Sequence, residues 1–321
     1  MPLRLPTATE AAAYHLHFKD AVWQEAAATV CTRHGIPYAA LRRSAQGENI
    51  IFFVDETFLI KIFAPFRDNY ARERAALFFA QGKLSIKTPE LIHSGELEGW
   101  SYLVMTQLKG HATREAWAQV NARDRLEIIS RLGVAISELH GHAPPLQTAL
   151  NRDWRGFVER QARDAVERQR ICGANPEWLE SLPEYINAGL SLLPDNFFNR
   201  QVFLHGDIHA GNLLLTQTTS GRWQISGLID FGDSLCGFSE YEFVAPGVLM
   251  AQGERELQRA LLLSYGYEES QLDAELRARL MLLTILYECS DLRKYALRLS
   301  PDAVNLRLSE LESAIWKFMG D

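Results

Sequence analysis

Between Leu41 and Met105 the apolar residues come in short blocks, LRR, NIIFFV, FLIKIF, ELIHSGEL and WSYLVMT, set apart by turn-forming residues such as DET. Blocks of this length, rich in β-branched and aromatic residues, predict extended strands. One helix interrupts them: NYARERAALFFAQ is built from good helix formers and stops at Gly82. After Leu108-Lys109-Gly110 the period changes. In RLEIISRLGVAISELHGH, Leu126, Ile129, Leu132, Ile136 and Leu139 recur at three- and four-residue spacing, the mark of an amphipathic helix. Residues 151–200 read as helical stretches broken at Pro176, Pro183 and Pro194. QVFLHGD, NLLLT and WQISGLIDF then return as short strands around loops, and helices resume from about Pro246. The pattern predicts an α+β chain of two lobes: a small β-rich N-terminal lobe, 1–107, and a larger helical C-terminal lobe, 108–321, with an embedded hairpin.

Composition narrows the partner. Of 321 residues 47% are apolar and 23% charged, an ordinary folded composition. A net charge of −7 disfavours a nucleic-acid surface, which needs a basic face, and suits a small cationic partner. From Gly237 onward there are 14 acidic and 9 basic residues, a net of −5, so the acidity is concentrated in the C-terminal part. Cys31, Cys172, Cys236 and Cys289 are scattered without a Cys-x-x-Cys pair, which suggests reduced thiols rather than a zinc site or disulfide framework. The first residues lack the apolar core of a signal peptide, and the longest apolar runs, such as LMLLTILY, fall short of the ~20 residues that span a bilayer. A cytoplasmic protein without membrane partners, acting as a monomer, is the expectation.

The chemistry centres on LHGDIHAGNLLL, Leu204 to Leu215. His205, Asp207 and His209 share one face if the run is a strand, and would then suggest a metal cluster. No further ligands complete a zinc set, however, and GD followed by AGN reads as a turn. The spacing H-x-D-x-x-x-x-N fits instead a phosphoryl-transfer loop, in which Asp207 meets the acceptor hydroxyl and Asn212 holds a metal ion. Asp230, at the end of the apolar strand ISGLIDF, lies on the hairpin partner of NLLL and supplies a second oxygen ligand for Mg²⁺. On this reading His205 holds the loop and His209 faces substrate. Lys61 sits inside FLIKIF, where a charge requires a partner, and Glu73 offers one because it shares a helix face with Tyr70, Ala76 and Leu77. The turn SAQGEN, with Gly47 and Asn49, lies where a loop would cover phosphates, although it has neither a G-x-G-x-x-G nor a Walker motif. Gln107 falls on the connection between lobes, where a nucleotide base would be met.

With Lys61, Glu73, HGDIHAGN and IDFGD together, the chain resembles the aminoglycoside phosphotransferase family, small-molecule kinases of protein-kinase-like fold. The resemblance covers most of the chain and is strongest to the hygromycin B 7''-O-kinases, through FLIKIF, YLVMTQLKGHATREAW, FLHGDIHAGN and SGLIDFGDSLCGFSEYEFV. It implies ATP or GTP as phosphoryl donor, Mg²⁺ as cofactor, and an aminoglycoside as acceptor. The alternative is a kinase of another hydroxylated metabolite, a sugar or amino alcohol. In the implied mechanism Lys61, oriented by Glu73, contacts the nucleotide phosphates, Asn212 and Asp230 hold the metal, and Asp207 orients the acceptor hydroxyl. Tyr241-Glu242-Phe243 departs from the Asp-Leu-Ala of many relatives, so no role is carried to Glu242. The segment between Asp233 and Val244-Ala245-Pro246 is too short for a protein-kinase activation segment, which favours a small acceptor. Candidate acceptor contacts are His209, Asp233, Glu240, and Glu288 with Asp291, read as neighbours on one helix face.

Overall fold

The computed structural model describes residues 3–45, 48–145 and 148–319. Five strands, β1 (Leu41–Arg43), β2 (Ile50–Val54), β3 (Phe58–Ile62), β4 (Leu91–Leu97) and β5 (Trp100–Thr106), form an antiparallel sheet in the order β1-β2-β3-β5-β4. Two-residue alternation divides its residues between two cores. Ile50, Phe52, Val54, Ile60, Ile62, Tyr102 and Val104 face an outer core with Trp23, Ala26, Ala27 and Val30. Leu103 and Met105 join the inner core shared with the helical part, and Lys61 pairs with Leu103 across the β3–β5 ladder. The outer cover comes from two N-terminal helices, α1 (Ala11–His17) and α2 (Val22–Arg33), which the strand pattern did not announce. Between β3 and β4 runs α3 (Asn69–Ala80), the helix predicted before Gly82, with Glu73, Ala76 and Leu77 buried.

The helical part bears out the α+β two-lobed plan and corrects two details. After β6 (His111–Ala112) and the short α4 (Thr113–Ala116) comes α5 (Ala122–His140), whose start is capped by the Asn121 side chain accepting the Asp124 N–H. Its stripe runs through Ile128, Ile129, Leu132, Ile136 and Leu139, whereas Leu126 is 37% exposed. Leu126 sits roughly 120° round the helix from that stripe, so its spacing to Ile129 misleads. The next pair is α6 (Trp154–Ile171) and α7 (Pro176–Ser191). Pro176 opens α7 behind an Asn175 cap, but Pro183 lies inside it and does not break it. The loss of one backbone donor is offset by burial of Trp178, Leu182, Ile186 and Gly189 on one face. Near the C-terminal end, α8 (Arg255–Tyr265), α9 (Ala274–Leu286), α10 (Leu292–Leu299) and α11 (Leu308–Ile315) close the inner core around the buried Trp316.

Two small antiparallel ladders position the loops that matter. β7 (Val202–Leu204) pairs with β10 (Leu235–Gly237), and β8 (Leu213–Gln217) pairs with β6 and β9 (Trp223–Leu228). The predicted turn after Leu204 lies between β7 and β8. Leu213 pairs with Leu228, and the Ile229 N–H donates to the Asn212 carbonyl at 2.9 Å. Asn212 and Asp230 therefore stand at adjacent strand ends. No helix among the described residues is long and apolar enough to cross a membrane.

Candidate active site

A cleft of about 470 Å³ opens between the sheet and the helical part. Ile51, Phe53, Leu59, Met105, Leu214 and Ile229 give it apolar walls, and Lys61, Glu73, His209, Asn212 and Asp230 give it charge and hydrogen-bonding capacity. Lys61 is 4% exposed. Its Nζ lies 2.6 Å from Glu73 Oε2 and 2.8 Å from Asp230 Oδ1. Burial works against the ammonium charge, but Asp230 and Glu73 outweigh it and hold the lysine protonated. Lys61 in turn keeps the Asp230 carboxyl below its ordinary range. Glu73 is pushed up to about 7 by burial, which the nearby ammonium only partly opposes. One cation shared by two carboxylates leaves the trio with net negative charge. Asp230 adopts φ 65°, a left-handed conformation uncommon for a residue with a side chain.

Beside Asn212 and His209, which line the cleft, both oxygens of the Asp207 carboxylate are engaged. Asn212 Nδ2 donates to Oδ2 and to the Asp207 carbonyl, each at 3.0 Å. This turns the other side of the Asn212 amide, its Oδ1, away from Asp207. His209 Nδ1 accepts the Gly211 N–H at 2.8 Å, so the ring proton belongs on Nε2, which lies 3.3 Å from Asp207 Oδ2. The Tyr287 hydroxyl reaches Oδ1 at 3.1 Å. His205 is fully buried; its Nδ1 accepts the Asp207 N–H and its Nε2 lies 3.1 Å from the Ile229 carbonyl. Both of its nitrogens are thus used on backbone groups, which removes it from the metal-ligand reading. Gly206 has φ 83°, and a Cβ there would come within 2.6 Å of the Asp233 carbonyl, so the turn requires glycine on both grounds.

Glu242, given no role from sequence, is 2% exposed. Its carboxylate accepts the backbone N–H groups of His205 at 2.6 Å and Gly206 at 3.0 Å, with His140 Nε2 at 3.7 Å. It fixes the backbone from which Asp207 projects. A buried carboxylate in the apolar segment after Phe238 was the available signal. Nothing in local spacing marked Tyr287, which lies 80 residues from its partner. Arg114 also lines the cleft, and its N–H donates to the Ala210 carbonyl at 2.8 Å, tying α4 to the Asp207–Asn212 loop.

The remaining expectations divide. Asp233 is half-exposed near Asp207; burial and then the Asp207 charge raise its carboxyl, and Arg72 stands 3.9 Å away. Glu288 is exposed and acts electrostatically on Asp233. Glu240 is elsewhere: it is 4% exposed, bound by Arg279 through contacts of 2.9–3.3 Å and by the Tyr267 hydroxyl at 3.1 Å. Its charge is consumed inside the helical part. Asp291 does not share a helix face with Glu288, because α9 ends at Leu286 and Asp291 caps α10 by accepting the Lys294 N–H. Gln107 lines the cleft with Oε1 buried and unpartnered among the described residues, while its N–H is bound to the Thr57 carbonyl. Asn49 is buried at the head of β2 and does not line the cleft, and Gly47 lies outside the described residues.

Residues 40–281 match the phosphotransferase enzyme family known as APH. The chain belongs to this family. Among solved structures it is similar to the GDP complex of wild-type aminoglycoside 2'-phosphotransferase-IIIa, with TM-score 0.63, 16% identity, and coverage of 92% of this chain and 99% of that one. It is also similar to the gentamicin complex of APH(2")-IIa, with TM-score 0.58, 19% identity, and coverage of 94% and 99%. A third similar structure is a putative aminoglycoside phosphotransferase from Ralstonia eutropha, with TM-score 0.60, 13% identity, and coverage of 92% and 97%. At these identities the likeness establishes the two-lobed, protein-kinase-like fold.

Proposed function

We propose that this phosphotransferase moves the γ-phosphate of ATP or GTP to a hydroxyl of an aminoglycoside, with hygromycin B the first acceptor to test. The observation that carries the reading is the cleft lined by Lys61, Glu73, Asn212 and Asp230, with the Asp207 carboxylate held beside it by Asn212 Nδ2 at 3.0 Å. In it the N-terminal lobe, 1–107, and the C-terminal lobe, 108–321, hold the nucleotide between them, with the base near the 106–108 connection. Lys61, held charged by two carboxylates, contacts the phosphates. Asn212 Oδ1 and the Asp230 carboxylate are hard oxygen donors at adjacent strand ends, a set that suits Mg²⁺, which takes few protein ligands and keeps waters and phosphate oxygens. The metal would neutralise charge on the transferring group.

Asp207 orients the acceptor hydroxyl. Because the transition state of phosphoryl transfer is loose, positioning and charge neutralisation contribute more than proton abstraction. A carboxylate already accepting two side-chain hydrogen bonds is well placed to orient the acceptor hydroxyl. Support for a polycationic acceptor comes from Asp233 and Glu288 near Asp207, from the sequence resemblance to hygromycin B kinases, and from structural neighbours solved with gentamicin, kanamycin or streptomycin.

The test is a Mg²⁺-dependent nucleotide-consumption assay with ATP and with GTP across hygromycin B, kanamycin, gentamicin, streptomycin, and a panel of sugars and amino alcohols. Transfer to an aminoglycoside that disappears in Asp207→Ala, with nucleotide affinity kept, is the expected result. Turnover confined to a sugar or amino alcohol would move the chain to the alternative acceptor class. Substantial turnover in Asp207→Ala would remove the assignment of that residue.

A further inference from the structure

We infer that Tyr287 is a positioning residue for the transfer step: its hydroxyl fixes the Asp207 carboxylate and ties it to the loop that carries Glu288. The inference rests on the reading of Asp207 as the carboxylate that orients the acceptor.

A carboxylate anchored at one oxygen still rotates about its Cβ–Cγ bond. Asn212 anchors Oδ2 at 3.0 Å, and among the described residues Tyr287 supplies the hydrogen bond to Oδ1, at 3.1 Å. Two anchors on opposite oxygens fix the plane of the group, and with it the lone pair left for an acceptor hydroxyl. The same tyrosine hydroxyl lies 3.2 Å from the Gly206 carbonyl, so its single proton serves two acceptors of the same turn, one of them the carboxylate itself. Tyr287 is 5% exposed, and burial, followed by the Asp207 charge, pushes its hydroxyl well above the ordinary tyrosine range. It therefore remains a donor at any working pH.

Its own position is braced. Tyr287 ends α9 with φ −61° and ψ 137°, leaving helical geometry at the residue whose side chain meets Asp207. Its ring packs on that of Tyr241 at 5.5 Å, and the Tyr241 hydroxyl accepts the N–H of the next residue, Glu288, at 3.2 Å. Glu288 is exposed, so a charge available to a cationic acceptor stands one residue from the hydroxyl that holds the carboxylate. The exposed carboxylate of Glu288 and the hydroxyl that holds Asp207 thus sit on one short loop.

A double-mutant cycle separates this role from a structural one. Tyr287→Phe, Asp207→Asn and the double variant are assayed with radiolabelled nucleotide and the best acceptor of the panel, with rates normalised to nucleotide-binding sites titrated in each sample. Tyr287→Phe is expected to lower kcat about tenfold, the loss that follows from one hydrogen bond to a charged group, with the nucleotide KM unchanged within about twofold. In the Asp207→Asn background the same change is expected to alter kcat by less than about twofold, because the group it positions has lost its charge. An equal loss in both backgrounds, or none in the first, overturns the inference while the function stands. Full turnover in Asp207→Asn, or no transfer by the wild-type chain to any acceptor, overturns the functional reading and this inference with it.

Discussion

Replacing Glu242 by glutamine tests whether the Asp207 turn is held from below. The carboxylate accepts two backbone N–H groups, from His205 at 2.6 Å and Gly206 at 3.0 Å, in a fully buried setting. Hydrogen bonds to a charged group contribute about 1.5–3 kcal/mol each. Glutamine keeps one carbonyl acceptor of neutral strength but turns its NH₂ toward the second backbone N–H, so one bond weakens and the other is replaced by opposed donors. The expected loss is about 2–4 kcal/mol, a large share of the roughly 5–15 kcal/mol that a folded domain commands. With a urea slope of about 3 kcal/mol/M for a chain of this size, the midpoint should fall by about 1 M. Tryptophan fluorescence follows the transition, and amide exchange across 202–210 reports the local effect at His205 and Gly206. Because the turn carries Asp207, kcat should drop about tenfold while the nucleotide KM holds. A midpoint shift below about 0.2 M, with unchanged exchange, would refute the claim that Glu242 anchors the turn.

Other substitutions separate charge from position. Lys61→Met leaves Glu73 buried without its cation, so it should cost about 3–5 kcal/mol in denaturant melts as well as most of the turnover; adding Glu73→Met should restore stability but not activity. Glu240→Gln should destabilise by less, about 1–3 kcal/mol, because Arg279 loses charged hydrogen bonds to Glu240 but keeps Glu275 at 2.9 Å, yet leave the acceptor KM unchanged; a raised acceptor KM in the folded variant would return Glu240 to the site. Glu73 binds its proton more tightly folded, at about 7, than in the unfolded chain near 4.5. Between those values the native state holds more protons, so this group makes stability fall as pH rises, and Glu73→Gln should flatten that part of a urea-midpoint profile between about pH 5 and 7.5. An unchanged slope would show that Lys61 compensates Glu73 completely.

The sequence reading succeeded where one strong local constraint fixes one outcome. A lysine in FLIKIF needs a buried partner, and a glutamate on the apolar face of the following helix provides it; the H-x-D-x-x-x-x-N spacing and the strand before Asp230 bring two oxygen donors to neighbouring ends. It failed where a side chain's meaning depends on distant packing. Glu240 and Glu242 are separated by one residue and carry the same charge, but one faces Arg279 and the other the His205 backbone, a difference set by the short helical turn Ser239–Phe243. Glu288 and Asp291 read as one helix face because the helix end at Leu286 carries no glycine or proline stop signal. Pro183 survives in α7 because tertiary burial outweighs local propensity. Tyr287 was illegible because its partner lies 80 residues upstream.

The two N-terminal helices set a limit on how far the chain can be cut. A version trimmed to 40–281 would keep Lys61, Glu73, Asp207, Asn212 and Asp230, and so the whole set of groups proposed above to handle phosphate. It would also strip Trp23 and its neighbours from the outer face of the sheet, opening Phe52, Ile60 and Val104 to water. The Tyr14 hydroxyl that donates to the Glu48 carbonyl at 2.7 Å, at the end of the turn before β2, would go with them. At the other end the cut would discard Tyr287. Such a fragment would be expected to precipitate through its bare sheet rather than reveal a minimal enzyme, and its silence in an assay would report solubility, not chemistry.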